Sequence, residues 1–284
     1  MDIKTIGVVG AGTMGGGIAQ VAATAGFAVI LHDLAPELLD RSLKGIDKSV
    51  SKLIEKGKIT EDKAAILARI KPTTSLADFQ GADFAVEAVV EDLAVKKSVL
   101  QELDRLMAPE RIIVSNTSSI SITRLAALTS RPGRFMGMHF MNPAPLMVLV
   151  ELIKGIAATP ETFAAVKALA EKMGKVTAEA NDFPGFIANR VLMPLINEAV
   201  FCLMEGVGTV EAIDTVMKLG MNHPLGPLAL ADLIGLDICL NIMEVIHEGY
   251  QDPKYRPCPL LKKYVAAGYL GRKSGRGFYT YQPA

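Results

Sequence analysis

Residues 6–33, IGVVGAGTMGGGIAQVAATAGFAVILHD, constrain the fold more than any other stretch. Gly10, Gly12 and Gly15 stand in GxGxxG register, directly after a short β-branched run and at the opening of a helical pattern. In such a unit the first glycine permits a tight turn, the second lets backbone N–H groups approach a pyrophosphate, and the third allows close helix packing. The helix, entered through Met14, then presents its N-terminus to the phosphate charge. A second apolar run ends at Asp33, eighteen residues after Gly15. A carboxylate there can accept hydrogen bonds from an adenosine ribose and would repel a 2′-phosphate, which favours NAD over NADP.

The runs TIGVVG, FAVILHD, DFAVEAV and RIIVSN carry the β-branched density of buried parallel strands and alternate with helical patterns. This alternation predicts an α/β fold with a Rossmann-like, doubly wound, mostly parallel sheet over residues 1–183. A direct crossover needs about 10 to 12 residues. Between Asp33 and the next expected strand, near IKPTTS, lie more than thirty, patterned as a helical hairpin inserted beside the cofactor loop. After residue 183 the pattern turns helical and is punctuated by Pro and Gly, so residues 184–284 read as a smaller all-helical domain. Its long helix is apolar nearly all round (Leu230, Leu233, Ile234, Ile238, Leu240, Ile242, Val245, Ile246). Either a subunit interface or a buried central helix would use that surplus.

Composition closes off several classes. Thirty basic and thirty acidic side chains cancel, so neither a nucleic acid nor an anionic membrane surface is expected as a partner. Cys202, Cys239 and Cys258 show neither disulfide nor zinc spacing, and no metal is expected. The start MDIKTIGVVGAG lacks the features of a secretory signal, and no apolar run reaches membrane-spanning length. A cytoplasmic enzyme is the expectation.

Within the insertion Lys44, Lys48, Lys52 and Lys56 recur every four residues along one slowly winding helix face. A solvated face explains many such stripes. Beside a dinucleotide loop, a second row of cations also suits a substrate with its own phosphates, such as a coenzyme A thioester.

The stretch GMHFMNPAP places His139 just ahead of an Asn-Pro break, and twelve residues on Glu151 interrupts the apolar run APLMVLVEL. A carboxylate inside such a run needs a partner. Two strands joined through the Asn-Pro turn could bring His139 to it, and an imidazole held by a carboxylate can take an alcohol's proton near neutral pH. Upstream, Asn116, Ser118 and Ser119 follow the strand RIIVSN, at the carboxyl end where open α/β sheets collect ligands. A serine cluster opening a helix can equally be a cap. His32, His223 and His247 show no chemical partner and read as structural.

The residues GAGTMGGGIAQ, VVED, SNTSSISIT, HFMNPAPLMVLVE, DFPGFIANR, MNHPLGPLALADLIGLD and GRKSGRGFY resemble those of the 3-hydroxyacyl-CoA dehydrogenases in their short, single-function form, over essentially the whole chain. The resemblance implies NAD-dependent interconversion of an (S)-3-hydroxyacyl-CoA, such as 3-hydroxybutyryl-CoA, and the 3-oxoacyl-CoA. It makes His139 the catalytic histidine, Glu151 its orienting acid, Ser118 the serine on the reacting oxygen and Asn189 the asparagine that helps hold the substrate. Asp33, Glu91, Lys96, Asn116, Ser118, Asn142 and Lys273 match positions associated with NAD, and Lys52 and Lys56 are the preferred coenzyme A contacts. A homodimer through the helical domain is implied as well. One departure is Val148, where many relatives have lysine. Two rivals stay open: a dehydrogenase of a free hydroxy or sugar acid, and a non-catalytic dinucleotide-binding protein of the crystallin kind.

Overall fold

The computed structural model describes residues 2–282, which divide into two compact units between Phe183 and Pro184. The first contains, in chain order, β1 (Thr5–Val9), α1 (Thr13–Thr24), β2 (Ala28–His32), α2 (Pro36–Glu55), α3 (Lys63–Ala68), β3 (Ile70–Thr73), β4 (Phe84–Glu87), α4 (Leu93–Leu106), β5 (Ile112–Ser115), α5 (Ile122–Ala126), β6 (Phe135–Phe140), β7 (Leu149–Lys154), α6 (Pro160–Lys172) and β8 (Val176–Asn181). One eight-stranded sheet results, ordered β3-β2-β1-β4-β5-β6-β7-β8. Every neighbouring pair is parallel except β6 with β7. This is the doubly wound α/β sheet expected from the alternating pattern.

The strands take this arrangement because both of their faces are covered. All of β4, β5 and β6 is buried, and in β1 only Thr5 is not. Such runs find no stable place except between helix layers. Pro72 lacks an N–H and is tolerated because β3 is an edge strand, paired only with β2. The chain reverses direction once, between β6 and β7, and that reversal sets His139 opposite Glu151 in the antiparallel register.

Between β2 and β3 the chain forms the inserted pair α2 and α3. Helix α2 buries Leu39, Ile46, Val50 and Leu53 along one stripe, each contributing roughly 1.5–3 kcal/mol of apolar transfer. A Cβ on Gly16 of α1 would lie 2.4 Å from the Ser42 hydroxyl, so the two helices approach backbone to side chain.

The second unit comprises α7 (Ala188–Met204), α8 (Val210–Thr215), α9 (Pro227–Ile234), α10 (Leu236–Tyr250) and α11 (Pro259–Ala266). The single long apolar helix read from the sequence is two helices, α9 and α10. They break at Gly235, whose φ of +108° lies where side chains other than glycine's are strained. Splitting the run re-aims its apolar residues. Ile242 and Ile246 enter the core with Met193, Ile196 and Val200 of α7, while Leu233 and Ile238 stay exposed.

The glycine-rich tail is fixed to this unit by two buried aspartates. Asp232 accepts from the backbone N–H groups of Phe278 and Tyr279 and from the Tyr281 hydroxyl, each at 2.9 Å. Asp214 accepts from Leu228 and Ala229 at the start of α9 and from the Tyr279 hydroxyl. No helix among the described residues is long and apolar enough to cross a membrane.

Candidate active site

The glycine loop leaves β1 at its carboxyl end. A Cβ on Gly10 would sit 2.5 Å from the Ala88 carbonyl, and one on Gly15 only 1.7 Å from the Gly10 carbonyl, so the chain's own packing demands both glycines. Gly12 differs, because a Cβ there would meet nothing within 4 Å. The chain's own packing thus leaves open space at Gly12, with room for a pyrophosphate to approach the N-terminus of α1. Asp33, just past β2, braces the loop: its Oδ2 accepts from the Ala11 N–H at 2.8 Å. Met14 lies in the first turn of α1. These residues fit NAD.

Next along the sheet's carboxyl edge lies a cluster of charges that sequence reading only half saw. Lys96 of α4 is 1% exposed, and its Nζ sits 2.8 Å from Glu87 Oε1 and 3.3 Å from Glu91 Oε2. Glu87 ends β4, is fully buried, and also accepts from the Ser115 hydroxyl at 2.6 Å and the Val89 N–H at 2.8 Å. Glu91 accepts from the Thr117 hydroxyl, from the Ser118 and Ser119 N–H groups and from the Ser119 hydroxyl. Burial alone would raise the pKa of Glu91. The Lys96 charge and the Thr117 and Ser119 hydroxyls outweigh it and hold the carboxyl below its usual range. Glu91 and Lys96 thus face each other and shape the loop that carries Ser118. Glu87 escaped notice because, at the end of DFAVE, it reads as an ordinary strand terminus.

Asn116 follows β5, and its Oδ1 accepts from the Phe140 N–H at 2.9 Å, fixing β5 to the residue after His139. His139 and Glu151 are directly opposed across β6 and β7, with His139 Nδ1 2.8 Å from Glu151 Oε2. The carboxylate is 1% exposed and the histidine 8%. Asn142, beyond β6, is exposed and precedes a cis bond to Pro143.

Two expected residues belong to the helical unit. Asn189 is buried in the first turn of α7. Lys273, in the tail, pairs with Asp237 of α10 at 2.6 Å, a carboxylate the sequence reading did not single out. Lys44, Lys48 and Lys52 lie exposed on α2, and Lys56, also exposed, is its C-cap. None of the four lines the cleft of about 380 Å³ between α1 and α2, whose walls include Gly12, Gly17, Gly45, Ser49 and Arg41. Arg41, outside the every-fourth-residue lysine series, is the cation on that wall.

A glycine loop after β1 and a histidine–carboxylate pair on the same edge of a doubly wound sheet define an NAD-dependent dehydrogenase. Residues 5–183 match the family model for the 3-hydroxyacyl-CoA dehydrogenase NAD binding domain, and residues 185–281 match that for the C-terminal domain. A probable 3-hydroxybutyryl-CoA dehydrogenase of Bacillus subtilis is 57% identical, over 99% of both chains. The 3-hydroxybutyryl-CoA dehydrogenase of Bradyrhizobium diazoefficiens is 55% identical, covering 99% of this chain and 97% of the relative. A solved (S)-3-hydroxybutyryl-CoA dehydrogenase from Ralstonia eutropha superposes with a TM-score of 0.97 at 51% identity, over 99% of this chain and 100% of that one. The chain belongs to the 3-hydroxyacyl-CoA dehydrogenase family.

Proposed function

We propose that the protein interconverts (S)-3-hydroxybutyryl-CoA and acetoacetyl-CoA. The observation that carries the reading is the register pair of His139 and Glu151 on an NAD-binding sheet. NAD, when bound, supplies the acceptor for the hydride leaving C3, and the chain's own residues manage the proton. With Nδ1 directed at Glu151, exchange with the substrate falls to Nε2 of His139. In oxidation Nε2 takes the C3 hydroxyl proton, and in reduction it returns one. Glu151 fixes the tautomer and stabilises the imidazolium. Ser118 and Asn189 hold the hydroxyl and thioester oxygens, pre-aligning the reacting carbon.

Gly10, Gly12, Met14 and Gly15 cradle the pyrophosphate, and Asp33 takes the ribose hydroxyls. Asn116, Ser118, Asn142 and Lys273 complete the cofactor contacts, while Glu91 and Lys96 support them by fixing the Ser118 loop. Lys52 and Lys56 contact coenzyme A. The helical unit carries substrate-binding and dimer-forming roles. Its exposed Val191, Val207, Val216, Leu219, Leu233 and Ile238 are what a subunit interface would cover. Three unpaired thiols suit the reducing cytoplasm.

The test is loss of NADH absorbance with acetoacetyl-CoA, run beside free acetoacetate and repeated with NADPH. Fast oxidation only with NADH and the thioester is expected. Equal rates with acetoacetate would favour the free-acid reading. No turnover by a folded, NADH-binding protein would favour the non-catalytic one.

A further inference from the structure

The loop that joins β6 to β7 brings His139 opposite Glu151 and carries Asn142, yet it includes Pro143 and Pro145, which have no N–H to give. Within it the Leu146 and Met147 N–H groups both donate to the Pro143 carbonyl, at 3.0 Å. The carbonyls of Ala144 and Met147 are taken by a side chain from farther along the chain. Lys175 Nζ donates to Ala144 at 2.7 Å and to Met147 at 2.8 Å.

Lys175 is 8% exposed, and both of these acceptors are uncharged. Burial pushes its pKa below the ordinary lysine value. A cation held in such surroundings costs stability that an apolar side chain would not. What the ammonium supplies in exchange is a set of donors that reaches two points of one loop at once.

The lysine is itself fixed in place. Just past α6 its N–H donates to the Ala170 carbonyl at 3.0 Å, while Gly174, at φ +72°, donates to the Glu171 carbonyl at 2.9 Å. This paired closure ends many helices and leaves the following residue little freedom. The next residue, Val176, donates to the Val148 carbonyl at 2.8 Å, which ties the start of β8 to the far end of the same loop. A second contact comes from α1, the helix that opens at the glycine loop. A Cβ on Gly17 would lie 3.2 Å from Ala144 Cβ and 3.3 Å from Pro145 Cδ, so helix and loop already pack closely.

We infer that Lys175 is a positioning residue for the cofactor: it anchors the β6–β7 loop by the Ala144 and Met147 carbonyls and so sets Asn142 where NAD is met. Lys175 acts through the loop and not by touching NAD. This inference rests on the cofactor role proposed for Asn142.

The test is a double-mutant cycle read by fluorescence titration of NADH, on Lys175→Met, Asn142→Ala and the two combined. Each single variant should raise the NADH dissociation constant by about tenfold, the scale of one lost hydrogen-bonded contact. The combined variant should stay within about twofold of either one, because both substitutions remove the same contact. Effects that multiply toward about a hundredfold would mean that Lys175 acts independently of Asn142, as a distant charge or a general stabiliser would, and would overturn the inference. So would a Lys175→Met protein that melts lower but binds NADH as the wild type does. If circular dichroism shows Lys175→Met unfolded, Gly17→Ala displaces the same loop with the lysine in place. Its NADH constant should rise by about threefold, again without adding to Asn142→Ala, and an unchanged constant would overturn the inference. If Asn142→Ala alone binds NADH normally, the proposed role of Asn142 falls first, and the inference with it.

Discussion

Two charge clusters stand along the same edge of the sheet, one at the end of β4 around the buried Glu87 and Lys96 and one across β6 and β7, and they differ in what their carboxylates face. Glu87 and Glu91 surround a lysine and take up hydroxyl and backbone donors as well, so the cluster is closed upon itself. Glu151 faces an imidazole, the one side chain whose ordinary titration spans neutrality. A carboxylate locked to a permanent cation can only hold geometry. A carboxylate paired with histidine can stabilise a charge that comes and goes, which is what proton transfer to an alcohol oxygen requires.

If that contrast is right, equivalent disruptions have different readouts. Glu151→Gln keeps the shape and removes the charge. It should lower kcat on the order of 10²- to 10⁴-fold with little change in Tm, as measured by NADH oxidation and thermal melts. Lys96→Met leaves the fully buried Glu87 carboxylate without its counter-charge, beside Glu91 at the surface. It should destabilise the protein by about 3–5 kcal/mol in urea unfolding, because an uncompensated buried charge remains. A result with the two effects exchanged would erase the distinction.

The next effect sharpens the contrast through pH. Burial lowers the pKa of His32 from 6.5, against smaller opposing influences from the Thr74 backbone and Asp33. Below pH 6.5 the unfolded chain therefore binds more protons at this site than the folded one. The stability contribution is complete above the unfolded value and is lost as pH falls through it toward the depressed folded value. Tm should drop over that range, and His32→Gln should flatten the drop. Smaller still, Gly45→Ala should stabilise α2 by about 1 kcal/mol. The gain is read as a rise in Tm, since a Cβ there would meet nothing within 4 Å.

Much of this architecture was legible because its signals are local. The glycine loop, the run to Asp33 and the over-long crossover each announce an element within a few dozen residues, and the sheet and inserted helices followed. His139 and Glu151 were readable as a pair because two short strands and an Asn-Pro break separate them by only twelve residues. Features assembled from distant segments were not readable. Glu87, Lys96 and Ser115 meet only after β4, α4 and β5 have packed. The cleft between α1 and α2 draws on residues near 12, 42 and 145, and no spacing rule connects them. The break at Gly235 was missed because apolar periodicity runs through it, while the deciding quantity is a positive φ. Nothing local marks Asp214 and Asp232 as buried, because the groups that close on them, Tyr279, Tyr281 and the tail backbone, lie far along the chain.

If His139 carries the proton, the decisive variant is His139→Gln, assayed for acetoacetyl-CoA reduction alongside NADH binding by fluorescence titration. The dissociation constant for NADH should stay unchanged and kcat should fall by about 10²- to 10⁴-fold, the usual contribution of a positioned acid–base. Near-normal turnover by a folded variant that binds NADH would contradict it, and the pair across β6 and β7 would then be a structural contact.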